Sequence, residues 1–375
     1  MNMIFRNIAQ AAAVLPLLSL LANAQNTTST TACNNAASLC SKSYGNVTLL
    51  GAHDSPFLSD STTSYSSSGN QYYNSTVQLN AGVRLLTAQV HSYTDNGASE
   101  WHLCHSSCAL LDAGKLSDWL SEIKTWMDAN TNDVVTLLLV NSDDASASDL
   151  ESEFSTSGID DYAYTPESTT TAPSEWPTLE TMIANNTRLV TFVASLDASS
   201  NTVAPYLLDE FNFLFENPYD NTNPSNYTCT PDRPTSLKGD TASAASGDRL
   251  FLMNHFLYSS SALGIEQPNT TYLDVTNAAN GTNSLGEAAA ECSTTYAKAP
   301  WAVLVDFFNV GPAIDTVDQL NGVAGSTSGR ASVSTARVTS SSDSSSSAAA
   351  NLLGAPRDSA VAAVVVGVVA ALMAL

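Results

Sequence analysis

Eight apolar, β-rich runs recur between residues 47 and 307, and they leave the chain few ways to fold. They fall at 47–51, 83–90, 101–104, 134–140, 188–194, 212–215, 249–254 and 301–307. Several are continuously apolar rather than alternating, the pattern of parallel strands covered on both faces. Helical periodicity intervenes. From 113 to 129, Leu116, Trp119, Leu120, Ile123, Trp126 and Met127 stand at i, i+3, i+4 spacing, and 178–185 opens behind Trp176-Pro177. Eight strands with intervening helices predict an α/β fold, an irregular (β/α)8 TIM barrel. The irregularity is expected after residue 193, where helices are unconvincing and 217–248 reads as a long loop rich in Pro, Asn and Thr. An open doubly wound sheet is the alternative, but no Gly-x-Gly-x-x-Gly follows the first run.

A parallel barrel carries its chemistry just past the C-terminal ends of its strands. Those places hold His53-Asp54, Gln89, His91, His105, Asn141, Ser195, Glu216-Asn217, His255 and Asp306. Four of the five histidines are among them, a concentration that histidines scattered through a core would not produce. Imidazole gives and takes protons near neutral pH, so acid–base chemistry is the natural expectation. His102, Cys104, His105 and Cys108 have zinc-like spacing, but cysteines of an exported chain oxidise, and neither a metal nor a cofactor is expected. The sequence has no Gly-x-Ser-x-Gly elbow, which weakens a serine-hydrolase reading. A glycosidase would have to use Glu216 and Asp306, the one obvious carboxyl pair among the strand ends.

The flanks have other compositions. Residues 1–24 read as a secretory signal peptide, with Arg6, an apolar stretch from Ala11 to Leu21 and the small-x-small site Ala22-Asn23-Ala24. At the other end, Ser359 to Leu375 is uncharged and apolar, preceded by a spacer and by Ser347-Ala348-Ala349-Ala350. That order reads as a GPI-anchor signal, expected over 351–375 and removed on attachment; the alternative is a single-pass tail anchor, which the missing basic charges disfavour. Residues 324–350 are rich in Ser, Thr and Ala and read as a flexible, O-glycosylated stalk, leaving 33–323 for the barrel. Seven Asn-x-Ser/Thr sequons suit an exported glycoprotein, at the cell surface or released to the wall. Six cysteines permit fifteen pairings, and proximity favours Cys33–Cys40, Cys104–Cys108 and Cys229–Cys292. The net charge of −23 argues against a nucleic-acid partner.

Gly51-Ala52-His53-Asp54-Ser55, then Ala81-Gly82-Val83-Arg84-Leu85-Leu86, then the run ending in His105 resemble the X-domain of phosphatidylinositol-specific phospholipase C. The similarity is greatest to fungal secreted PLC-like phosphodiesterases. It extends to Leu103-Cys104-His105-Ser106-Ser107-Cys108, Asp133-Val134-Val135-Thr136-Leu137 and Val303-Leu304-Val305-Asp306-Phe307-Phe308, and covers residues 47–322. The resemblance implies a phosphoric diester hydrolase of lipid metabolism built on a TIM barrel. His53 would be the general base and His105 the general acid. Asp306 would orient and charge-stabilise His53, and Asp54 would do the same for His105.

The chain departs from the pattern where relatives carry an arginine for the phosphate or acidic ligands for calcium. The matching positions are Thr87 and Gln89. His91 shares their strand face and would supply charge when protonated, whereas Arg84 lies on the opposite face and has a structural role. Thr87, Gln89, His91, Asn141, Asn217 and His255 are the candidate substrate contacts. The expected partner is a phosphodiester, either a phosphoinositide, a glycosylated inositol lipid or a small molecule, met at the outer leaflet by an anchored monomer. The alternative is a weak or inactive barrel that binds a phosphorylated or carbohydrate ligand.

Overall fold

The computed structural model describes residues 31–95, 97–196, 201–260 and 266–340. The expected signal peptide and anchor signal, and residues 341–350 of the expected stalk, lie outside them.

Twelve strands are described. β1 (Leu49–Ala52), β2 (Leu85–Asp95), β3 (Ala98–Cys104), β4 (Asp112–Lys115), β5 (Val135–Asn141) and β6 (Leu189–Ala194) come first. β7 (Leu207–Asp209), β8 (Leu214–Glu216), β9 (Leu250–Asn254), β10 (Tyr258–Ser260), β11 (Glu266–Pro268) and β12 (Ala302–Val305) follow. Eight form one parallel sheet in the order β7-β6-β5-β2-β1-β12-β9-β8. This is an irregular α/β barrel. No pairing joins β7 to β8 among the described residues, so the sheet curls without closing.

Nine α-helices accompany the strands among the described residues. α1 (Ser75–Ala81), α2 (Leu116–Ala129), α3 (Ala147–Ser157) and α4 (Leu179–Ala184) belong to the first half. α5 (Glu210–Phe213), α6 (Thr241–Ser246), α7 (Leu273–Thr276), α8 (Leu285–Tyr296) and α9 (Ala313–Asn321) belong to the second. The single turn of α5 is all that separates β7 from β8, at the open seam.

Alternation along the strands divides the core. Leu49, Leu85, Leu138, Phe192, Leu252 and Leu304 belong to one cluster, with Tyr44, Trp176 and Trp301. Their neighbours Leu50, Leu86, Leu137, Val193, Met253 and Val303 belong to the other, with the buried side chains of α2 and α3. Each fully buried Leu or Val contributes about 1.5–3 kcal/mol, so a four-residue strand such as β12, buried throughout, is held by its side chains as much as by its ladder. Arg84 is structural. It pairs with Asp133 (Nη2 to Oδ1, 2.7 Å) and donates to the carbonyls of Leu79 and Val83.

Two expectations need correction. The run 101–104 is a strand, but β3 pairs antiparallel with β2 and lies outside the parallel sheet. The eighth parallel strand is instead β7, three residues long. The reason lies in β2, which continues for eleven residues and folds back on β3 in a hairpin, with Asp95 opposite Ala98. The three disulfides are Cys33–Cys40, Cys104–Cys108 and Cys229–Cys292.

Residues 324–340, the start of the expected stalk, lie along the barrel. Arg330 forms a two-pronged pair with Asp318, and Asn309 Nδ2 donates to the carbonyls of Ser334 and Ala336. Val333 and Val338 pack against the core clusters.

Candidate active site

The site begins with register. Pairing of Ala52 with Val305 sets the next residues of β1 and β12 side by side, and the His53 amide continues the ladder to the Val305 carbonyl at 2.9 Å. His53 Nδ1 consequently lies 2.9 Å from Asp306 Oδ1, with both side chains buried. Asn70 Nδ2 donates to the same carboxylate oxygen at 3.0 Å. Gln71 Nε2 donates to the carbonyls of His53 and Val305, and Phe256 stacks on the imidazole with centroids 3.8 Å apart. Asp306 on one nitrogen and Phe256 on one face hold the ring in one orientation.

After Asp306 the backbone turns into the left-handed region at Phe307, φ 46°, which a bulky residue adopts at a cost of about 1–3 kcal/mol. The Phe307 amide donates to the Asn70 carbonyl at 2.8 Å, and Asn277 Nδ2 donates to the carbonyls of Asp306, Phe307 and Val310. These bonds hold the strained turn that aims Asp306 at His53.

Asp54 joins the two imidazoles. Its Oδ2 lies 3.7 Å from His53 Nε2 and 3.7 Å from His105 Nε2, so the two nitrogens are no farther apart than twice that distance. These are charge contacts, too long for hydrogen bonds. The Asp54 amide donates to Thr87 Oγ1 at 2.8 Å, and Gln89 Nε2 donates to Asp54 Oδ2 at 2.7 Å. Gln89 Oε1 accepts from the Ser106 amide at 2.8 Å, which ties the His105 loop to the same carboxylate. His105 reaches this place from the end of β3, braced by Cys104–Cys108 and by its amide bond to the Leu111 carbonyl.

The environments push the two imidazoles apart. Burial opposes the charged form of His53, but Asp54, Asp306 and Glu216 outweigh it and raise the pKa above 6.5. For His105 burial prevails over Asp54, and the charge on His53 adds to it, so its pKa is lowered. Environments that drive two neighbouring imidazoles in opposite directions allow them to differ in protonation state.

A cavity of about 290 Å³ opens beside them, with His53, Asp54, Thr87, Gln89 and Ser106 along one side. His105 is buried and does not line it. Opposite stand Glu210, Glu216, Arg233 and Asn254, and Tyr219, Phe256 and Tyr258 supply aromatic surface. Glu216 Oε2 accepts from Arg233, through Nε at 2.9 Å and through Nη2, and from Asn254 Nδ2 at 3.2 Å.

The remaining candidate contacts are placed elsewhere. His91 lies in the hairpin opposite His102, with Asp143 3.4 Å from its Nδ1. Asn141 closes a turn through both polar ends on Ala145, and Asn217 bonds the backbone of Asn254 and Thr228. His255 sits against the Thr276 carbonyl and Tyr227, and burial lowers its pKa to about 4. None of the four lines the cavity. Cys104 and Cys108 form a disulfide, which removes both thiolates from any zinc set. Asn70, Gln71, Glu210 and Arg233 were not legible as site residues: two sit in a polar loop without motif, one in a single-turn helix and one in the long loop.

Comparison with known proteins gives this arrangement a family. The PI-PLC X 1 family model matches residues 39–321. Two proteins of Arthroderma benhamiae are each 36% identical to the chain. One, "PI-PLC X domain-containing protein 1", aligns over 78% of this chain and 90% of its own length. The other, an "uncharacterized secreted protein", aligns over 78% of this chain, which spans 64% of that relative. Among solved structures, the phosphatidylinositol-specific phospholipase C of Listeria monocytogenes shares 17% identity at a TM-score of 0.49, covering 75% of this chain and 95% of that one. That of Staphylococcus aureus shares 14% identity at a TM-score of 0.45, covering 72% and 88%. A family match spanning the barrel from the segment before β1 to the end of α9, with relatives alike over most of the chain, makes this protein a member of the PI-PLC X domain family.

Proposed function

We propose that the protein is an exported phosphodiesterase of phospholipase C type. The observation that carries this reading is Asp54 Oδ2 standing 3.7 Å from the Nε2 atoms of both His53 and His105, with Asp306 on the far nitrogen of His53. With Nδ1–H donating to Asp306, His53 Nε2 is free to accept a proton from a hydroxyl of the substrate's headgroup. That oxygen attacks phosphorus, the bond from phosphorus to the leaving alcohol breaks, and His105 donates its proton to the departing oxygen. The products are a cyclic phosphate and an alcohol. Each proton transfer is worth about 10²–10⁴-fold. Asp54 stabilises positive charge on either ring, and no metal enters the scheme.

The signal-like and anchor-like termini, and the relative described as secreted, support a protein tethered at the outer membrane leaflet that acts on a lipid or small-molecule phosphodiester. Phosphorus NMR of the purified ectodomain with a panel of phosphodiesters, with and without EDTA, tests the reading. A cyclic or monoester product that persists in EDTA and vanishes in His53→Ala and His105→Ala supports it. Undiminished turnover in either variant overturns it.

One observation favours binding without turnover. Arg233 is the one Lys or Arg among the described lining residues, and it is paired with Glu216. Saturable binding of an inositol phosphate with no product between pH 4 and 8 would select that reading.

A further inference from the structure

The cavity wall facing His53 is acidic and partly unsatisfied. Four carboxyl groups line the cavity, those of Asp54, Glu210, Glu216 and Glu266, against the single guanidinium of Arg233. Arg233 is committed to Glu216 and lies against the faces of Tyr219 and Phe211, 4.2 and 5.4 Å from their centroids. Glu210 is 1% exposed, and its Oε1 accepts no hydrogen bond among the described residues. A headgroup carrying further phosphates would meet repulsion here. A buried carboxyl pair in a cavity that also presents Tyr219, Phe256 and Tyr258 is instead a receptor for a cation.

We propose that Glu210 and Glu216 form a subsite for an ammonium group, so that the phosphodiesters handled here carry an amine on the headgroup. The proposal rests on the phosphodiesterase reading and names its substrate class. The charged groups acting on Glu210 are Glu216 from β8, Arg233 from the long loop and Asp209 beside it in the chain. Burial, then the charge of Glu216, holds its pKa well above the ordinary carboxylate range. An incoming ammonium group favours the ionised Glu210 carboxylate and so displaces a proton from it.

The test uses the whole ectodomain and two matched probes, an aminodeoxyinositol 1-phosphate and its N-acetyl derivative, which differ in the charge and bulk of one substituent. Titration calorimetry should find the amine bound about tenfold or more tightly. In buffers of different ionisation enthalpy it should release about one proton per amine bound. In Glu210→Gln, which keeps the side-chain shape, the preference should shrink to about threefold or less. Equal affinity of the two probes for the native protein overturns the subsite, whatever the activity. Phosphorus NMR of the corresponding phosphodiesters reads the other arm. Absence of cleavage with the calorimetric preference intact overturns the phosphodiesterase reading and leaves the subsite standing.

Discussion

His53 Nδ1 and Asp306 Oδ1, 253 residues apart in sequence, lie 2.9 Å apart because β1 and β12 pair in parallel with Ala52 opposite Val305. In the proposed scheme Asp306 fixes the tautomer that leaves Nε2 as base, and its charge raises the affinity of the ring for a proton. Asp306→Asn keeps the size of the side chain but presents either an amide donor or a neutral acceptor to Nδ1. Turnover should fall about 10²–10⁴-fold. KM should change little, since Asp306 does not line the cavity. A KM effect larger than the kcat effect would mean that Asp306 organises binding instead.

The proposed division of labour between the histidines should show in the leaving group. An alkoxide needs a proton as it departs, whereas nitrophenolate does not. His105→Ala should cost about 10²–10⁴-fold on an alkyl phosphodiester and about tenfold or less on a nitrophenyl one. His53→Ala should cost the same on both, because each reaction needs a deprotonated nucleophile. Equal sensitivity of the two variants to the leaving group would deny the assigned roles.

The pH profile follows from the opposed shifts. His53 must be neutral, and its raised pKa means that this form accumulates as pH rises through a value above 6.5. His105 must be protonated, and its lowered pKa means that this form is lost as pH rises through a value below 6.5. The productive ionisation is therefore a minority state, and the profile is a bell whose two limbs lie on either side of 6.5. The charge on Asp54 raises both imidazoles. Asp54→Asn should move both limbs of kcat/KM to lower pH, and movement of one limb alone would show that Asp54 serves a single ring.

How much of this was legible depended on length of signal. The runs that became β1, β5, β6, β9 and β12 are mostly apolar because helices or the barrel interior cover nearly all of both faces, so burial itself wrote them into the sequence. His53 and Asp306 were legible for the same reason, as the first polar residues beyond such runs. β7 was not, since three residues carry no periodicity. The antiparallel course of β3 left a trace that the apolar run concealed: Asn96-Gly97, between the paired Asp95 and Ala98, is the commonest two-residue hairpin signature. Strand alternation placed His91 with Thr87 and Gln89, but β2 leaves the barrel beyond Val90 to pair with β3, and the shared face stops being a shared site. Arg233 and Glu210 meet Glu216 only through tertiary folding of the long loop and α5. No local pattern encodes that meeting.

The brace on His105 gives the last prediction. Cys104 and Cys108 enclose a short loop, so in the chain-entropy account their bond is worth roughly 2 kcal/mol to global stability. Its larger effect should be local, because the bond spans His105 and Ser106, and the Ser106 amide is the group that ties the loop to Gln89 and hence to Asp54. The Cys104→Ser/Cys108→Ser double variant should remain folded, with a modest loss in a denaturant midpoint. Its activity on an alkyl phosphodiester should fall by about tenfold or more while nitrophenyl hydrolysis falls less, the pattern of a misplaced general acid. Equal losses on the two substrates would show that the disulfide supports the barrel rather than the position of His105.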